Sequence, residues 1–598
     1  MLLEILSYFD LKVLLPVIRL VQFLIVAWGS IPLDFRDYPD QATVTDGQSF
    51  DFVVVGGGTA GCVLANRLTE VANWTVLLME AGDDPSVVTE NPMLSVLVLP
   101  SLPDWNHHSV DDGYSSQARQ SKNVHHISGK MLGGSSGINY MYYVRGNKAD
   151  YDGWAELGNT GWNWDNVQRY FKKTERYMDS VKDTSRGFHG LIGVTKQEWR
   201  HRTHFYLEAL KENGHEILDD YNRDQQSGYS AAQFSIADGT RQGTAVAYLK
   251  PIRDRPNFFL LKNSLARKVI FDHDKRAVGV EVTLPNKEII RVNVKKEVIL
   301  SAGAVNSPQL LMLSGVGPKD HLEKMGIEVV HDSENVGQNL QDHMMVQVML
   351  TGVNGLSSMI QSADPFLNWD RFPVPTLIGF ASLNKSESYP DYQSTVCPLG
   401  ASHLMVMMAC RQIFDLDDEA CMKFIAAGKA KETLNALVSL LHPDSRGSIK
   451  IRSKEPEAPP LINNGYFSNE NDLENFAKYV EDFVSVANTS SLRSFGSEVV
   501  YIDLQQCKNF ELGSHEYWKC YLLNTVGSHY HLVGTCAMGP EGEGVVDERL
   551  QVRGVGGLRV VDASVMPTIT SGNTNAPVLM IAEKAADLIK VDHGACNV

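Results

Sequence analysis

A short glycine-rich run near the start of the chain has the residue types and spacing needed to hold the phosphates of a dinucleotide. Residues 56–61 read GGGTAG and satisfy the pattern G-x-G-x-x-G. In such a loop, Gly56 would permit a tight turn and Gly58 would let the backbone approach a pyrophosphate. Gly61 would let the next helix pack on the preceding strand. The N–H groups and the dipole of that helix would then face the phosphates.

An acidic residue follows this loop at a distance that suits the same ligand. Glu80 lies 19 residues after Gly61, at the end of a second apolar run. A carboxylate in this place can accept a hydrogen bond from a ribose 2′-hydroxyl. The acidic residue therefore favours FAD or NAD over NADP, whereas a simple tight turn would need neither Glu80 nor the flanking strand and helix.

A second glycine-rich segment, GKMLGGSSGIN, occupies residues 129–139. Gly133 and Gly134 leave its backbone bare, while Ser135 and Asn139 add hydrogen-bonding groups. Its flanking residues are too apolar for a free surface loop. The segment is therefore suited to close approach of a planar ring and its polar edge.

Five segments together resemble the glucose–methanol–choline (GMC) oxidoreductases, and the resemblance runs from about residue 50 to residue 590. The segments follow the order of the family: GKMLGGSSGIN at 129–139, GAVNSPQLLMLSGVG at 303–317, VGQNLQDH at 336–343, HLVGTCAMG at 531–539 and PTITSGNTNAP at 567–577. The resemblance implies an α/β, Rossmann-like FAD-binding domain built from separated segments. It also implies an α+β substrate domain on an antiparallel sheet, with the flavin buried between the two.

The resemblance also implies the cofactor and its contacts. Some relatives carry a histidine at the position of Ile138 and bond it covalently to the flavin. Because isoleucine cannot form that bond, we predict non-covalent FAD. The family match places Val269 against the adenine through its backbone. The predicted FAD-binding residues are Gly56, Gly58, Gly61, Glu80, Gly133, Gly134, Ser135, Asn139, Val269, Ala302, Asp562, Ala563 and Thr574.

Catalysis by such an enzyme requires a base for the hydroxyl proton of an alcohol while the carbinol hydride passes to the flavin. The family match gives His531 this role, and imidazole titrates near neutral pH. Asn573 matches the partner position and would orient the substrate oxygen. His529 is a rival base, but the Gly-Thr-Cys that follows His531 favours His531. No Cys-x-x-Cys and no zinc-like spacing of Cys and His occurs, so we predict no metal.

The elements that position these residues can be read from hydrophobic patterning. Residues 52–55 and 75–79 predict two buried strands, with a helix between them to about residue 71. We expect helix over 151–175 and after residue 576, and alternating strands over 265–300. The domain prediction is mainly FAD-binding segments in 50–345, with interleaved substrate-domain parts. Mainly substrate-binding residues follow in 346–525, and 526–598 return to the FAD domain with the catalytic segment.

The N-terminal residues 1–30 resemble a signal peptide, followed by a linker over 31–49. Arg19 and Gln22 interrupt the apolar run, so no stable membrane span is expected. The alternative is a retained amphipathic segment associated with a membrane. The sequons at Asn73, Asn384 and Asn488 fit secretion.

Composition limits the partners of this 598-residue chain. Its net charge of −17 argues against nucleic acid. Of eight cysteines, Cys410 with Cys421 and Cys507 with Cys520 are close enough in sequence for local disulfides in an oxidising compartment.

The substrate is the least determined feature. The chain resembles insect members of the family, which include ecdysone oxidases and FAD-quinone glucose dehydrogenases. The methionine-rich, apolar stretch Pro390–Ala426 is either simply core or a pocket wall, and as a wall it suits a steroid rather than a sugar. It favours oxidation of an ecdysteroid 3-hydroxyl to the ketone, with O₂ reduced to H₂O₂. The alternatives are a sugar or small-alcohol dehydrogenase that reduces a quinone, and a flavin-binding protein without catalysis.

Overall fold

A computed structural model gives the architecture of the protein. It describes residues 11–29, 37–97, 102–179, 183–197, 200–354, 370–401, 404–429 and 431–595.

A seven-stranded sheet forms the centre of the first part of the molecule. Its middle strands are parallel, and two antiparallel strands extend one edge. In spatial order the strands are Phe258–Leu261, Val76–Met79, Ser49–Val55, Ile289–Leu300, Ala277–Thr283 and Leu265–Phe271, with Leu558–Val560 pairing parallel to Ile289–Leu300. Residues 52–55 are buried on both faces, as their continuous apolar run predicts.

Helices cover this sheet. Thr59–Leu68 packs against Asn575–Asp592, which also contacts Trp164–Thr174. The predicted strand–helix–strand unit at the first glycine loop is therefore present. The expected single helix over 151–175 is instead two helices, Lys148–Glu156 and Trp164–Thr174, because a turn that contains Gly158 and Gly161, both with positive φ, separates them.

A second, wholly antiparallel sheet has six strands. In spatial order they are Gly527–Ser528, Met344–Asn354, Lys431–Leu440, Tyr392–Leu399, Leu377–Ala381 and Gly228–Ala231. Helix Glu470–Val484 packs on this sheet and on helix His515–Thr525. An α/β domain and an α+β part on an antiparallel sheet thus match the predicted fold class.

Shorter elements connect these layers. The other helices are Leu11–Gly29, Val87–Glu90, Pro92–Leu97, Gly134–Gly137, Arg200–Glu212, Ala245–Leu249, Lys250–Ile252, Gly303–Leu313, Lys319–Lys324, Leu404–Met408, Ala409–Ile413, Asp418–Ala427, Ser485–Asn488, Ser490–Arg493, Gln505–Cys507 and Ala563–Val565. The other strands are His107–His108, His125–His126, Glu175–Tyr177, Ile192–Lys196, Gln233–Phe234, Ile236–Ala237, Thr240–Arg241, Val316–Gly317, His331–Asp332, Ser448–Lys450 and Leu461–Asn463.

Each large sheet has its own hydrophobic core. The first core draws residues from Tyr38 to Ile589 and the second from Val96 to Val526, so the chain passes between them repeatedly. Tyr38, in the predicted linker, packs in the first core and donates a hydrogen bond to Glu90 at 2.5 Å. Residues 31–36 of that linker lie outside the described residues.

The N-terminal segment forms helix Leu11–Gly29, while residues 1–10 lie outside the description. Ile18 and Gln22 are buried on one face, whereas Leu20 and Phe23 are exposed. Within the described ranges, none of the helices combines the length and apolar character needed to cross a bilayer.

Both predicted disulfides are formed, Cys410–Cys421 and Cys507–Cys520. They lie in the second part of the molecule, where Cys410, Cys421 and Cys507 belong to the core around the antiparallel sheet.

Candidate active site

The first glycine loop has the conformation that its spacing predicts. Gly56 has φ +102°, and a Cβ on it would lie 2.4 Å from the carbonyl oxygen of Ser301. A Cβ on Gly61 would lie 1.9 Å from the Gly56 carbonyl oxygen, so the helix packs too closely on the turn for a side chain there. Beside Gly58 the nearest atoms lie 3.9 Å from such a Cβ. Space therefore remains next to Gly58, where the backbone can approach a ligand.

Glu80 is fixed at the end of its strand by two backbone donors. Its Oε2 accepts from the N–H of Gly57 at 2.9 Å and its Oε1 from the N–H of Gly82 at 2.8 Å. Burial raises the pKa of Glu80 to about 7, because a charged carboxylate is poorly solvated inside the protein. Each oxygen keeps a further lone pair for a ribose hydroxyl.

The second glycine segment lies directly on the first. The N–H of Gly133 donates to the carbonyl oxygen of Gly57 at 2.7 Å. Gly133 and Gly134 have φ +87° and +50°, a region that side chains rarely adopt. The two loops therefore form one continuous cradle rather than two separate sites.

A deep cleft joins the two loops to the catalytic segment. It contains about 1900 Å³ of space outside protein atoms, part of it open to solvent. Among the predicted FAD-binding residues its lining includes Gly56, Gly58, Glu80, Gly134, Ser135, Asn139, Ala302, Asp562, Ala563 and Thr574. A dinucleotide fits this set, because bare backbone lies at one end and backbone N–H groups, a carboxylate and an amide line the rest.

Asp562 ties two distant segments together at the wall of the cleft. Its Oδ2 accepts from the N–H of Gly303 at 2.9 Å and from the hydroxyl of Ser307 at 2.6 Å. Its Oδ1 accepts from the N–H of Ser564 at 2.8 Å. The start of helix Gly303–Leu313 is thereby held at the wall of the cleft, with the N–H of Gly303 bound to the Asp562 carboxylate.

Asn139 is held by a buried arginine. The Asn139 Oδ1 accepts from Arg241 Nη1 at 2.7 Å and from the N–H of Met141 at 3.0 Å. This leaves the amide nitrogen of Asn139 for a ligand in the cleft. The neighbouring Ile138 is 2 % exposed, lines the cleft and packs in a small hydrophobic cluster with Met131 and Val88.

Two sequence predictions do not fit this geometry. Val269 lies outside the lining residues and donates its N–H to the hydroxyl of Ser314 at 2.8 Å; in its place Ser264, Leu265 and Ala266 line the cleft. Likewise, the described residues of Pro390–Ala426 do not line the cleft. Several of them, such as Val406 and Phe414, pack in the second core, because their apolar side chains are buried within the protein.

The catalytic candidates meet in the cleft beside the antiparallel sheet, where His529 contacts Ser439. His531 Nε2 lies 3.1 Å from Asn573 Nδ2, and both residues line the cleft. The ring of His529 stacks on that of His531 with centroids 4.4 Å apart. The hydroxyl of Ser439 contacts His529 Nδ1 at 2.9 Å. His529 is thus engaged with the sheet, while His531 Nε2 is directed at Asn573.

Burial keeps these histidines neutral. The pKa of His531 lies well below its ordinary value, chiefly because of burial and also because His529 and His343 are near. The pKa of His529 is lowered to about 4 by burial. A neutral imidazole can accept a proton, so His531 has the protonation state that a base requires.

The sequence analysis missed two residues at this site. His343 Nδ1 lies 2.9 Å from His531 Nδ1, and the Gln393 amide contacts Asn573 Oδ1 at 3.3 Å. His343 stands in the segment VGQNLQDH, which carries the family resemblance, so a signal existed for it. Gln393 lies within Pro390–Ala426, the stretch predicted as a pocket wall, but its contact with Asn573 depends on how strand Tyr392–Leu399 pairs in the sheet.

Aromatic side chains surround the substrate end of the cleft. Tyr140, Tyr142 and Tyr530 line it together with Leu532. Tyr530, between His529 and His531 in the sequence, has φ +62°, an unusual conformation for a bulky residue. Across the described part of the chain, no group of three or more His, Cys, Asp or Glu side chains is placed to hold a metal ion.

Comparisons with known proteins agree with this geometry. The GMC oxidoreductase family models match residues 50–345 and 443–582. The chain is 37% identical to an ecdysone oxidase of Spodoptera littoralis, over 93% of this chain and 94% of that protein. It is 34% identical to a glucose dehydrogenase [FAD, quinone] of Drosophila melanogaster, over 94% and 89%. The crystal structure of pyridoxine 4-oxidase from Mesorbium loti superposes with a TM-score of 0.76 at 26% identity, over 90% of this chain and 98% of that one.

The two matched regions contain the features found in the cleft. The first contains both glycine loops and Glu80, and the second contains His531 and Asn573. With two family models and near full-length relatives in agreement, the chain belongs to the GMC oxidoreductases, FAD-dependent enzymes that act on alcohols.

Proposed function

We propose that His531 is the base that removes the hydroxyl proton of an alcohol, and that Asn573 orients the alcohol oxygen. The observation that carries this proposal is the pairing of His531 Nε2 with Asn573 Nδ2 at 3.1 Å inside the cleft. An alcohol oxygen placed against both groups can donate its proton to the imidazole and accept from the second N–H of the amide. Bound FAD supplies the acceptor for the two electrons of the oxidation.

The protein contributes position and electrostatics to this step. The backbone N–H of His531 donates to Asp342 Oδ1 at 3.0 Å, which fixes the segment that carries the base. Asp342 also accepts from the hydroxyl of Tyr466 at 2.5 Å. The aromatic wall of Tyr140 and Tyr530 limits water around the base, so the charge that develops on the substrate oxygen meets a fixed donor instead of mobile solvent.

For the substrate, the proposal is an ecdysteroid 3-hydroxyl that is oxidised to the ketone while O₂ becomes H₂O₂. A wall of Tyr140, Tyr142, Tyr530 and Leu532 offers broad apolar faces with few fixed polar groups. Such a wall suits the face of a steroid, and the tyrosine hydroxyls can serve its remaining hydroxyl groups. A relative at 37% identity bears the name ecdysone oxidase.

The second candidate is oxidation of a sugar or another small alcohol with a quinone as acceptor. Its support is the 34% identity to a glucose dehydrogenase [FAD, quinone] over 94% of the chain. The two candidate functions share the base. They differ in the substrate that the pocket wall would bind and in the electron acceptor.

One experiment separates the candidates. Purified holoenzyme is mixed anaerobically with ecdysone, glucose and simple aryl and alkyl alcohols, and bleaching of the flavin absorbance is followed. Oxygen or a quinone is then admitted. Bleaching by ecdysone, with formation of 3-dehydroecdysone and H₂O₂ on addition of oxygen, supports the first candidate. Bleaching by sugars alone, with reoxidation by quinone but not by oxygen, supports the second.

We also propose that the enzyme is secreted. The disulfides Cys410–Cys421 and Cys507–Cys520 require an oxidising compartment. The three sequon asparagines, Asn73, Asn384 and Asn488, are all exposed and open to glycosylation. Digestion of the natively produced protein with an N-glycosidase tests this, because an unchanged mobility would argue against passage through the secretory route.

A further inference from the structure

His531 has a polar neighbour on each ring nitrogen. Asn573 Nδ2 lies 3.1 Å from its Nε2, and Nδ1 of the fully buried His343 lies 2.9 Å from its Nδ1. A neutral imidazole carries one proton, so one nitrogen donates and the other accepts. For Nε2 to take a proton from an alcohol, the proton of the neutral ring must lie on Nδ1.

Hydrogen bonds link Gln393, Asn573, His531 and His343 in a chain that can run in two directions. In one direction Asn573 donates to Nε2 of His531, and Nδ1 of His531 donates to His343. In the other direction, the side-chain amides of Gln393 and Asn573 are both rotated and Nε2 of His531 carries the proton. Nε2 then has no lone pair with which to act as a base. Because rotation of both amides preserves the number of hydrogen bonds, the amides alone do not select a direction.

His343 selects the direction at the end of this chain. Its ring is buried beside the backbones of Leu441 and Thr570, both of which favour the protonated ring, as carbonyl acceptors do. Nε2 of His343 is buried and makes no hydrogen bond in the structure. A carbonyl oxygen accepts and cannot donate, so a proton on Nε2 of His343 is favoured over a bare lone pair there. Nδ1 of His343 is then the acceptor.

We propose that His343 is a positioning residue that holds His531 in the tautomer with the proton on Nδ1, so that the lone pair of Nε2 can act as the base once the substrate hydroxyl replaces the Asn573 amide as its donor. This inference rests on the assignment of His531 as the base in the proposed function. Two hydrogen bonds from backbone N–H groups hold the segments of His343 and His531 next to each other. The N–H of His529 donates to the carbonyl oxygen of His343 at 3.0 Å, and the N–H of His531 donates to Asp342 Oδ1 at 3.0 Å.

The same contact acts after proton transfer. When Nε2 of His531 takes the hydroxyl proton, the ring becomes a cation whose Nδ1–H still donates to His343. An acceptor for the charged form favours that form. The titratable groups that face the two rings are His529, His442 and Asp342. His343 lowers the pKa of His531 only where both rings are charged, and burial keeps His343 neutral. A neutral His343 ring acts on the His531 cation as an acceptor, so loss of that acceptor should lower the pKa of the His531 imidazolium.

The test compares His343→Phe, which fills the space without an acceptor, with His343→Gln, which restores a carbonyl oxygen. Both are studied as holoenzymes by stopped-flow flavin reduction with an alcohol that reduces the wild type. We expect the rate of flavin reduction to fall about 10²-fold in His343→Phe. In His343→Gln it should recover to within about tenfold of the wild-type rate. The lower pH midpoint of reduction should shift downward in the Phe variant. His215→Phe is the matched control, because the buried His215 contacts Lys385 and Tyr229 rather than His531 or His343, and we expect a change below about threefold.

A second readout measures the tautomer itself. In protein labelled with ¹⁵N-histidine, the resonances of His531 are those lost in His531→Gln. A proton on Nδ1 in the wild type and a mixed tautomer in His343→Phe are the expected results. A proton on Nε2 in the wild type would overturn the proposal, as would equal loss in Phe and Gln with an unchanged pH midpoint. If His531→Ala still reduces its flavin, the proposed function itself fails. If His531→Ala is inactive while His343→Phe behaves as wild type, only this inference fails.

Discussion

Gly58 and Gly134 lie so close that a Cβ placed on Gly134 would fall 2.7 Å from the Cα of Gly58. The phosphate end and the ring end of the cradle are therefore packed backbone to backbone. We predict that Gly134→Ala weakens FAD binding, because one loop must move away from the other. A cost of about 1–3 kcal/mol for such overpacking corresponds to a loss of about 5- to 150-fold in affinity. Flavin content and titration of the apoprotein with FAD measure it.

A control separates steric overlap from backbone strain. Gly113 has a similar positive φ, +67°, but no atom lies within 4 Å of a Cβ built on it. Gly113→Ala should therefore retain the FAD affinity of the wild type. If both variants bind FAD as the wild type does, the close packing of the two loops does not control the cofactor.

Glu80 offers a second prediction. Its carboxylate accepts from the N–H groups of Gly57 and Gly82. In Glu80→Gln one amide end is a donor, so a buried backbone N–H loses its partner at a cost of about 1–3 kcal/mol. We expect a lower midpoint of thermal unfolding for the apoprotein and weaker FAD binding. The exposed Glu541→Gln serves as the control, and equal behaviour of the two variants would contradict the role of Glu80.

Much of the cradle was predictable because its signals are local. The run from Phe52 to Gly61 specifies a buried strand, a turn and a helix within ten residues, and the structure contains them. The pairing of His343 with His531 joins residues 188 positions apart. No local pattern encodes such a contact, because it depends on the antiparallel alignment of the two segments. The wall predicted from Pro390–Ala426 failed for a related reason, since apolar composition does not distinguish a pocket lining from core.

The base assignment yields a third prediction. His531→Ala should keep its FAD, because the residue is not among the predicted FAD-binding residues. It should lose about 10²- to 10⁴-fold in the rate of flavin reduction by alcohol. Anaerobic stopped-flow absorbance measures the rate, and the flavin spectrum confirms retention of the cofactor. Reduction at the wild-type rate would show that another group takes the proton.

The buried histidines make stability depend on pH. Burial lowers the pKa of His107, His215, His442 and His529 to about 4, and that of His126 to about 3. Their pKa in the unfolded chain is about 6.5, so between pH 6.5 and 4 the unfolded state binds more protons than the folded state. Their contribution is complete above pH 6.5 and is lost as the pH falls through this window. Three buried carboxyls with raised pKa values oppose the trend: Glu80, Asp150 and Asp342.

Because the histidines are more numerous and most have the larger shifts, we expect the unfolding midpoint of the apoprotein to fall between pH 6.5 and pH 5. Circular dichroism melts across this range measure the slope. His126→Gln should flatten it, since this ring is 1 % exposed and accounts for one of the protons taken up on unfolding. His273→Gln is the control, because the side chain of His273 is 88% exposed. If His126→Gln and His273→Gln leave the slope equally unchanged, proton uptake by buried histidines does not set the acid stability of this enzyme.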